Sequence, residues 1–574
     1  MRTRPRTATR PTTPGAARRW LARLEALAAE FSPGSATEKL VLVRGLEEAT
    51  LPSATAVRRL HDVLCFLRAY PDDPEVLARV EGALAGFERR PDLRRFRAAL
   101  DDSGIAGTDI YYTFFAATAR WLVERFPDRV TIAWDYLRDG GRLGDRLGLL
   151  VAPSESPGLE EYDLGVRGWL ARLKGPTETD AAYLLHRWWR LPMTATVREA
   201  LYEEMQILLR LRAGPGGPAR TREKAAGLSR GFQRGPLERT RPDLWRAAAE
   251  PPTRVRAVSR AEGARLVMLA RDAMISRSRD LDAFCYGDSQ DVRVVEFDRG
   301  LAFAAIGMRP ERRLLLESVY GLLTLKNGVP IGYVLAAALN QSAEMAFNVF
   351  ETWRGHEAAH IYGRALAVAS YLFGARAFSV PPYQLGHDNE EGLASGAWWF
   401  YHKLGFHPRD PAIRKLAERE RARVHRRPGH RSSVATLQRL SSVDHFLERG
   451  RPRADIMGVL PLGAVGLAVT RALARRSGAD REHGVASCVE EASRTLAVPG
   501  WRRWAPAERG AFERWAPLVT LLPHLESWTG DERRALVDVI RAKGGRHESD
   551  FVRAYDAHRR LRAAIAGIAR SAAE

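Results

Sequence analysis

The stretch LLTLKNGVPIGYVL, Leu322 to Leu335, sets Asn327-Gly328 between two runs rich in β-branched and aromatic residues. A two-residue turn with both residues at positive φ matches the twist of an antiparallel pair, so Asn-Gly at this spacing predicts a β-hairpin. What surrounds it is different. From Thr37 to Arg212 apolar residues recur every three or four positions, as in AVRRLHDVLCFLRAY and VREALYEEMQILLRLR, the spacing of amphipathic helices packed on one another. After the hairpin come a strand in AFNVFETW, a helix in HEAAHIYGRALAVASYLF, a strand in ARAFSV and a helix ending in SGAWWFYHKLGF. Hairpin, strand, helix, strand, helix is an α+β order with a crossover. The expected fold is a central mixed sheet flanked by mostly helical N- and C-terminal regions.

The chain of 574 residues is too long for one ordinary core. Composition and punctuation divide it into a basic disordered arm (1–36), a helical domain (37–212), a basic linker rich in Pro and Gly (213–254), the α+β domain (255–410) and a helical C-terminal region (411–574). The apolar run IMGVLPLGAVGLAV, Ile456 to Val469, is too short to span a bilayer and contains Pro461, so it reads as a buried helical segment. No apolar stretch of a secretory signal follows the basic start. Cys65, Cys285 and Cys488 stand far apart, in neither a zinc-finger nor a disulfide spacing, which fits a reducing cytoplasm. The formal charge of +20 raises a polyanion or nucleic acid as a partner. Only seven of the 89 basic residues are lysine, a bias that GC-rich coding also produces.

The segment WRGHEAAHIYGRAL, Trp353 to Leu366, carries two chemistries. His356, Glu357 and His360 form an H-E-x-x-H pattern, which on one helix gives two zinc-ligating imidazoles with a carboxylate as general base. Leu366 occupies the place where a longer version of that motif has a third histidine, leaving Glu390 or Glu391 as substitutes. The other chemistry lies in Arg354-Gly355 at the mouth of a helix, where unpaired N–H groups and a positive dipole end suit a pyrophosphate.

The stretch NEEGLASGAWWFYHKLGF, Asn389 to Phe406, resembles the second conserved segment of the GNAT superfamily of N-acetyltransferases, in which an Asn after the fifth strand precedes a helix ending like Tyr401-His402-Lys403-Leu404-Gly405-Phe406. Upstream, FNVFETWRGHEAA is similar to that superfamily's fourth strand and pyrophosphate turn. The resemblance spans residues 255–408, about a quarter of the chain. It implies a domain whose fourth and fifth strands splay to admit acetyl-CoA or another acyl-CoA, from which an amine acceptor takes the acyl group by direct attack. In this resemblance Tyr401 protonates the leaving thiolate and Glu351, placed on the fourth strand, is the base. Arg354, Gly355, Ala359 and Asn389 are the cofactor-binding positions, with Asn389 alternatively fixing the strand-to-helix turn. Glu357 stands where the family usually has a glycine, and a carboxylate beside a pyrophosphate costs binding unless it turns away. Trp398 and Trp399 read as core packing. Beyond Phe406 the family adds two further strands, whereas HPRDPAIRKLAERERARVHRR reads as helix almost at once, so the closing hairpin is expected to be missing or replaced. The alternatives are a catalytically silent module in a helical, nucleic-acid-binding scaffold, and a zinc hydrolase built on the HEAAH helix.

Overall fold

The structure, a computed structural model, describes residues 13–32 and 34–573, and the chain forms two compact units. The first comprises Met1–Pro236, Met268–Cys285 and Lys326–Pro330. It opens with helices Pro14–Ala28, Ser35–Glu48, Ala54–Ala69 and Pro74–Ala85. The first of these corrects the disordered arm expected over 1–36. Thr13 caps it by accepting the Ala16 N–H at 3.2 Å, and Ala17, Leu21, Leu24 and Leu27, spaced by three and four, are buried. Residues 1–12 of that arm lie outside the described residues. A three-stranded antiparallel sheet follows, β1 (Ile110–Tyr112), β2 (Val130–Ile132) and β3 (Leu209–Leu211), in the order β1-β3-β2. The helical periodicity of 37–212 does not reveal it.

The segment expected to be a linker is packed. Arg220, Thr221 and Glu223 are buried, and the Arg68 guanidinium donates to the carbonyls of Thr221 at 2.7 Å and Arg220 at 2.9 Å. The Thr221 hydroxyl also accepts the Ala106 N–H at 2.9 Å and bonds His61 Nε2 at 2.8 Å. A chain without regular structure can lie inside a core only when its polar groups find partners. Here buried side chains supply them.

The second unit comprises Leu237–Val267, Tyr286–Leu325 and Ile331–Glu574. Its nine-stranded sheet is built from β4 (Arg254–Ala257), β5 (Gly287–Glu296), β6 (Leu301–Met308), β7 (Ser318–Lys326), β8 (Val329–Leu339), β9 (Ser342–Val349), β10 (Ala377–Val380), β11 (His407–Pro408) and β12 (His445–Leu447). The order across the sheet is β11-β12-β10-β9-β8-β7-β6-β5-β4. The turn between β7 and β8 is the expected one, with φ of 51° at Asn327 and 82° at Gly328. β8 and β9 are antiparallel, whereas β9 and β10 are parallel and joined by a crossover helix, Ala358–Phe373. The fold is therefore α+β, a mixed sheet with helical flanks. Among the described residues no helix is long and apolar enough to cross a membrane.

Two expectations change after Phe406. A closing pair of strands exists: β11 and β12 pair antiparallel, and β12 also pairs antiparallel with β10. Helices Pro411–Arg426 and Val434–Leu440 are inserted between them, which is why the sequence reads as helix so soon. The apolar run at Ile456 is a turn followed, after Pro461, by the helix Leu462–Ser477, in which Val465 is buried and Leu467 is exposed.

The C-terminal helices are tied to the sheet by buried charges within this unit. Glu548 meets Lys543 Nζ at 2.6 Å, and Arg313 donates to the carbonyls of Lys543 at 2.9 Å and Gly545 at 2.6 Å. Asp291 on β5 accepts the Tyr320 hydroxyl at 2.8 Å and the Glu548 N–H at 2.9 Å. Deleting one member leaves its partner charged and dry, which costs roughly 3 to 5 kcal/mol. Lys543→Ala is accordingly expected to lower unfolding stability by about that amount in urea titration. A loss below about 1 kcal/mol, the worth of an exposed pair, would show that the network does not hold the helices to the sheet.

Candidate functional site

The site begins where a strand pair stops. β9 and β10 share three partners, Ser342 with Ala377, Ala343 with Phe378 and Glu344 with Ser379. β10 ends at Val380 before Pro381-Pro382, and proline can neither donate to a ladder nor leave φ free. β9 continues to Val349, held on its other side by β8 through Gly332. The edge of Met345–Val349 toward β10 thus carries no strand partner. Side chains use the backbone groups exposed there. Gln384 Nε2 donates to the Phe347 carbonyl at 2.6 Å and to the Tyr401 hydroxyl at 3.0 Å, and the Phe347 N–H also bonds that hydroxyl.

Tyr401 is brought to this edge by the short helix Ala397–Lys403. Its ring is buried, 5.5 Å from Tyr362 on the crossover helix and 5.8 Å from Phe406. Burial pushes its hydroxyl well above the ordinary tyrosine range, so it carries its proton at neutral pH. It can give that proton but cannot act as a base.

The turn that follows β9 lies at the same end. Glu351–Trp353 form a 3-10 turn, Gly355 has φ of 79°, and the crossover helix begins at Ala358 without a side-chain cap. Gly355 suits the left-handed backbone because it has no Cβ to clash. Arg354 donates from Nε to the Val349 carbonyl at 3.0 Å and pairs through Nη2 with Glu391, pinning the turn to the strand end. Glu357 is 3% exposed and accepts the Glu238 N–H at 3.1 Å, so its carboxylate is engaged inside the fold. Ala359 is half-buried in the helix's first turn.

Other expected residues stand differently. Glu351 is exposed in the 3-10 turn rather than on the strand. Asn389 caps the helix Glu390–Ser395, its Oδ1 accepting the Gly392 N–H at 2.9 Å while Nδ2 donates to the Tyr383 carbonyl at 3.0 Å. It fixes the strand-to-helix turn. Trp398 is buried and donates from Nε1 to His445 Nε2 at 3.0 Å, a core role. His356 lies in a bend before the crossover helix, so it and His360 do not share a helix face as the zinc pattern requires. Burial and then Arg239 lower the His356 pKa. Among the described residues no three His, Cys, Asp or Glu side chains are grouped to hold a metal ion.

Sequence reasoning passed over Glu344. It stands at the last parallel pair and is largely buried, which raises its pKa to about 7 with Asp444 and Glu317 adding to the shift. Facing partners in a ladder project to the same side, so Ser379 stands beside it. The Ser379 hydroxyl is buried and bonds nothing among the described residues. A single charged residue within the apolar run AEMAFNVF was the available signal. Compared with known protein families, curated proteins and solved structures, the chain matches none.

The raised pKa has a stability consequence. Below the ordinary carboxylate range Glu344 is neutral whether folded or unfolded and has no effect. As pH rises from about 4.5 through 7 the unfolded chain loses its proton first, so stability falls. Glu344→Gln removes this penalty and is expected to gain roughly 2 to 3 kcal/mol over the parent at pH 8 and almost nothing at pH 4. Denaturant titrations at both pH values check it. An equal effect at the two would mean that Glu344 titrates normally.

Proposed function

We propose that the second unit is an acyl-CoA-dependent N-acyltransferase acting on an amine by direct attack. The observation that carries this reading is the opening between β9 and β10, with a protonated, buried Tyr401 hydroxyl at the strand edge that has no β partner and an uncapped helix N-terminus at the same end. The N–H groups of that first turn suit a pyrophosphate, and Gly355 lets it approach the backbone. Engagement of Glu357 by Glu238 keeps the carboxylate occupied within the fold. The thioester of the bound acyl-CoA supplies the acyl group.

Tyr401 gives its proton to the sulfur as the C–S bond breaks, and a carboxylate takes the proton that the amine nitrogen loses as the C–N bond forms. Three carboxylates stand on β9 and the turn that follows it: Glu344 at the fork of the strands, Glu351 at the rim, and Glu357, which accepts the Glu238 N–H. Glu344, with a pKa near neutrality, is the best matched to accept a proton at pH 7.

Calorimetric titration with acetyl-CoA tests the reading. Saturable binding near one per chain is expected, and Tyr401→Phe should keep it while lowering turnover about 100-fold in an amine-acceptor screen. Absent binding would overturn the assignment, and equal turnover in the variant would remove Tyr401 from the chemistry.

A further inference from the structure

A second concave site lies within the second unit, at the opposite end of β10. A cavity of about 970 Å³ is walled by Gly374–Phe378, by Trp245 on the short helix Leu244–Ala249, by residues between Glu448 and Arg453, and by Arg553, Asp556 and Arg562 near the C-terminus. Its wall includes the last turn of the crossover helix, about 20 Å along the axis from the turn at Ala358. It is therefore separate from the opening described above.

Six arginines line the cavity against two carboxylates, Glu448 and Asp556. Glu448 is engaged through both of its oxygens and Asp556 through Oδ2. Glu448 holds Arg409 through bonds of 3.0 and 2.7 Å, and Asp556 accepts the Gln341 N–H at 2.9 Å. Arg453 and Arg562 share Asp455, at 3.0 and 2.8 Å. Arg553 donates to the Leu372 carbonyl at 3.0 Å and to that of Tyr371. It thereby covers the negative end of the crossover helix, the local feature that would otherwise repel an anion.

Three guanidiniums remain. Arg376, Arg449 and Arg451 are exposed, and among the described residues no carboxylate lies within ion-pair distance of them. Arg449 lies over the Trp245 ring, 5.0 Å from its centroid. Like charges gathered around one concavity repel, and an anion of several charges relieves that repulsion. The planar guanidinium fork matches phosphate oxygens, and Arg449 lying over the half-buried Trp245 indole forms a flat stack on which a base can lie. The volume falls within the range of small-molecule sites, roughly 300 to 1,000 Å³.

We propose that this cavity binds a nucleoside polyphosphate, its phosphates bridging Arg376 and Arg451 and its base lying on the Trp245 side. The assignment does not rest on the acyltransferase reading.

Calorimetry of the full chain with ATP and with inorganic tripolyphosphate, in about 0.15 M salt, is the test. ATP is expected to saturate near one per chain and to bind more tightly than tripolyphosphate. The double variant Arg376→Ala/Arg451→Ala should weaken ATP binding at least tenfold with an unchanged thermal transition, since both side chains are exposed. Trp245→Ala should erase the advantage of ATP over tripolyphosphate. Arg354→Ala, at the far end of the crossover helix, should leave ATP binding in place, which separates this cavity from the proposed acyl-CoA turn. Absent saturation, or ATP binding unaltered in the double variant, would overturn the proposal. A single-stranded oligonucleotide that binds more tightly than ATP and is lost in the same double variant would do so too, by assigning the cavity to a nucleic-acid strand.

Discussion

Two prolines set the geometry on which the rest of the second unit depends. Pro381 and Pro382 stop β10 one residue after its last partner on β9, while β9 runs on along β8. A parallel pair that would otherwise stay closed is left open, and the backbone of Phe347 must find partners elsewhere. Gln384 and Tyr401 meet that need, which brings a hydroxyl from a distant helix to the edge that has no β partner. Because the crossover helix connects β9 to β10 in parallel, its N-terminus comes to the same end. Opening, hydroxyl and helix mouth thus follow from one chain termination.

The sheet that supports this arrangement does not end where the central motifs end. β12, beyond two inserted helices, covers the outer edge of β10, and the C-terminal helices reach β5 and β7 through Asp291, Tyr320, Lys543 and Glu548. Hydrogen-bonded and paired, these buried charges hold one arrangement, since any displaced partner leaves a charge out of water. β10 therefore has its outer side closed by β12 and its inner side open beyond Ser379.

The features read correctly in the sequence are those fixed by local chemistry. Asn327-Gly328 makes its turn because both residues tolerate positive φ, and the three-and-four spacing of the flanks yields helices. The helix that carries Tyr401 was also legible, ending at Lys403 as its neighbours to Phe406 suggest. Features that depend on distant partners were not. β1, β2 and β3 are three residues each, too short for a period to show. Arg220 and its neighbours looked solvated because arginine donating to buried carbonyls has no signature along the chain. Asn389 was read as touching cofactor or fixing the strand-to-helix turn, and the cap it makes is the second of these. The zinc alternative offered by the HEAAH pattern depended on where the helix begins, which spacing alone does not say, and this one begins after His356 and Glu357. Glu344 was missed because its pKa comes from burial and from Asp444 and Glu317, both remote in sequence.

Amide hydrogen exchange, followed with and without saturating acetyl-CoA, tests the central claim most directly. If the opening between β9 and β10 takes the acyl-CoA and the crossover helix takes its phosphates, the amides of residues 345–349 and 358–362 slow together. Unchanged exchange in both segments at saturating acetyl-CoA would contradict the claim.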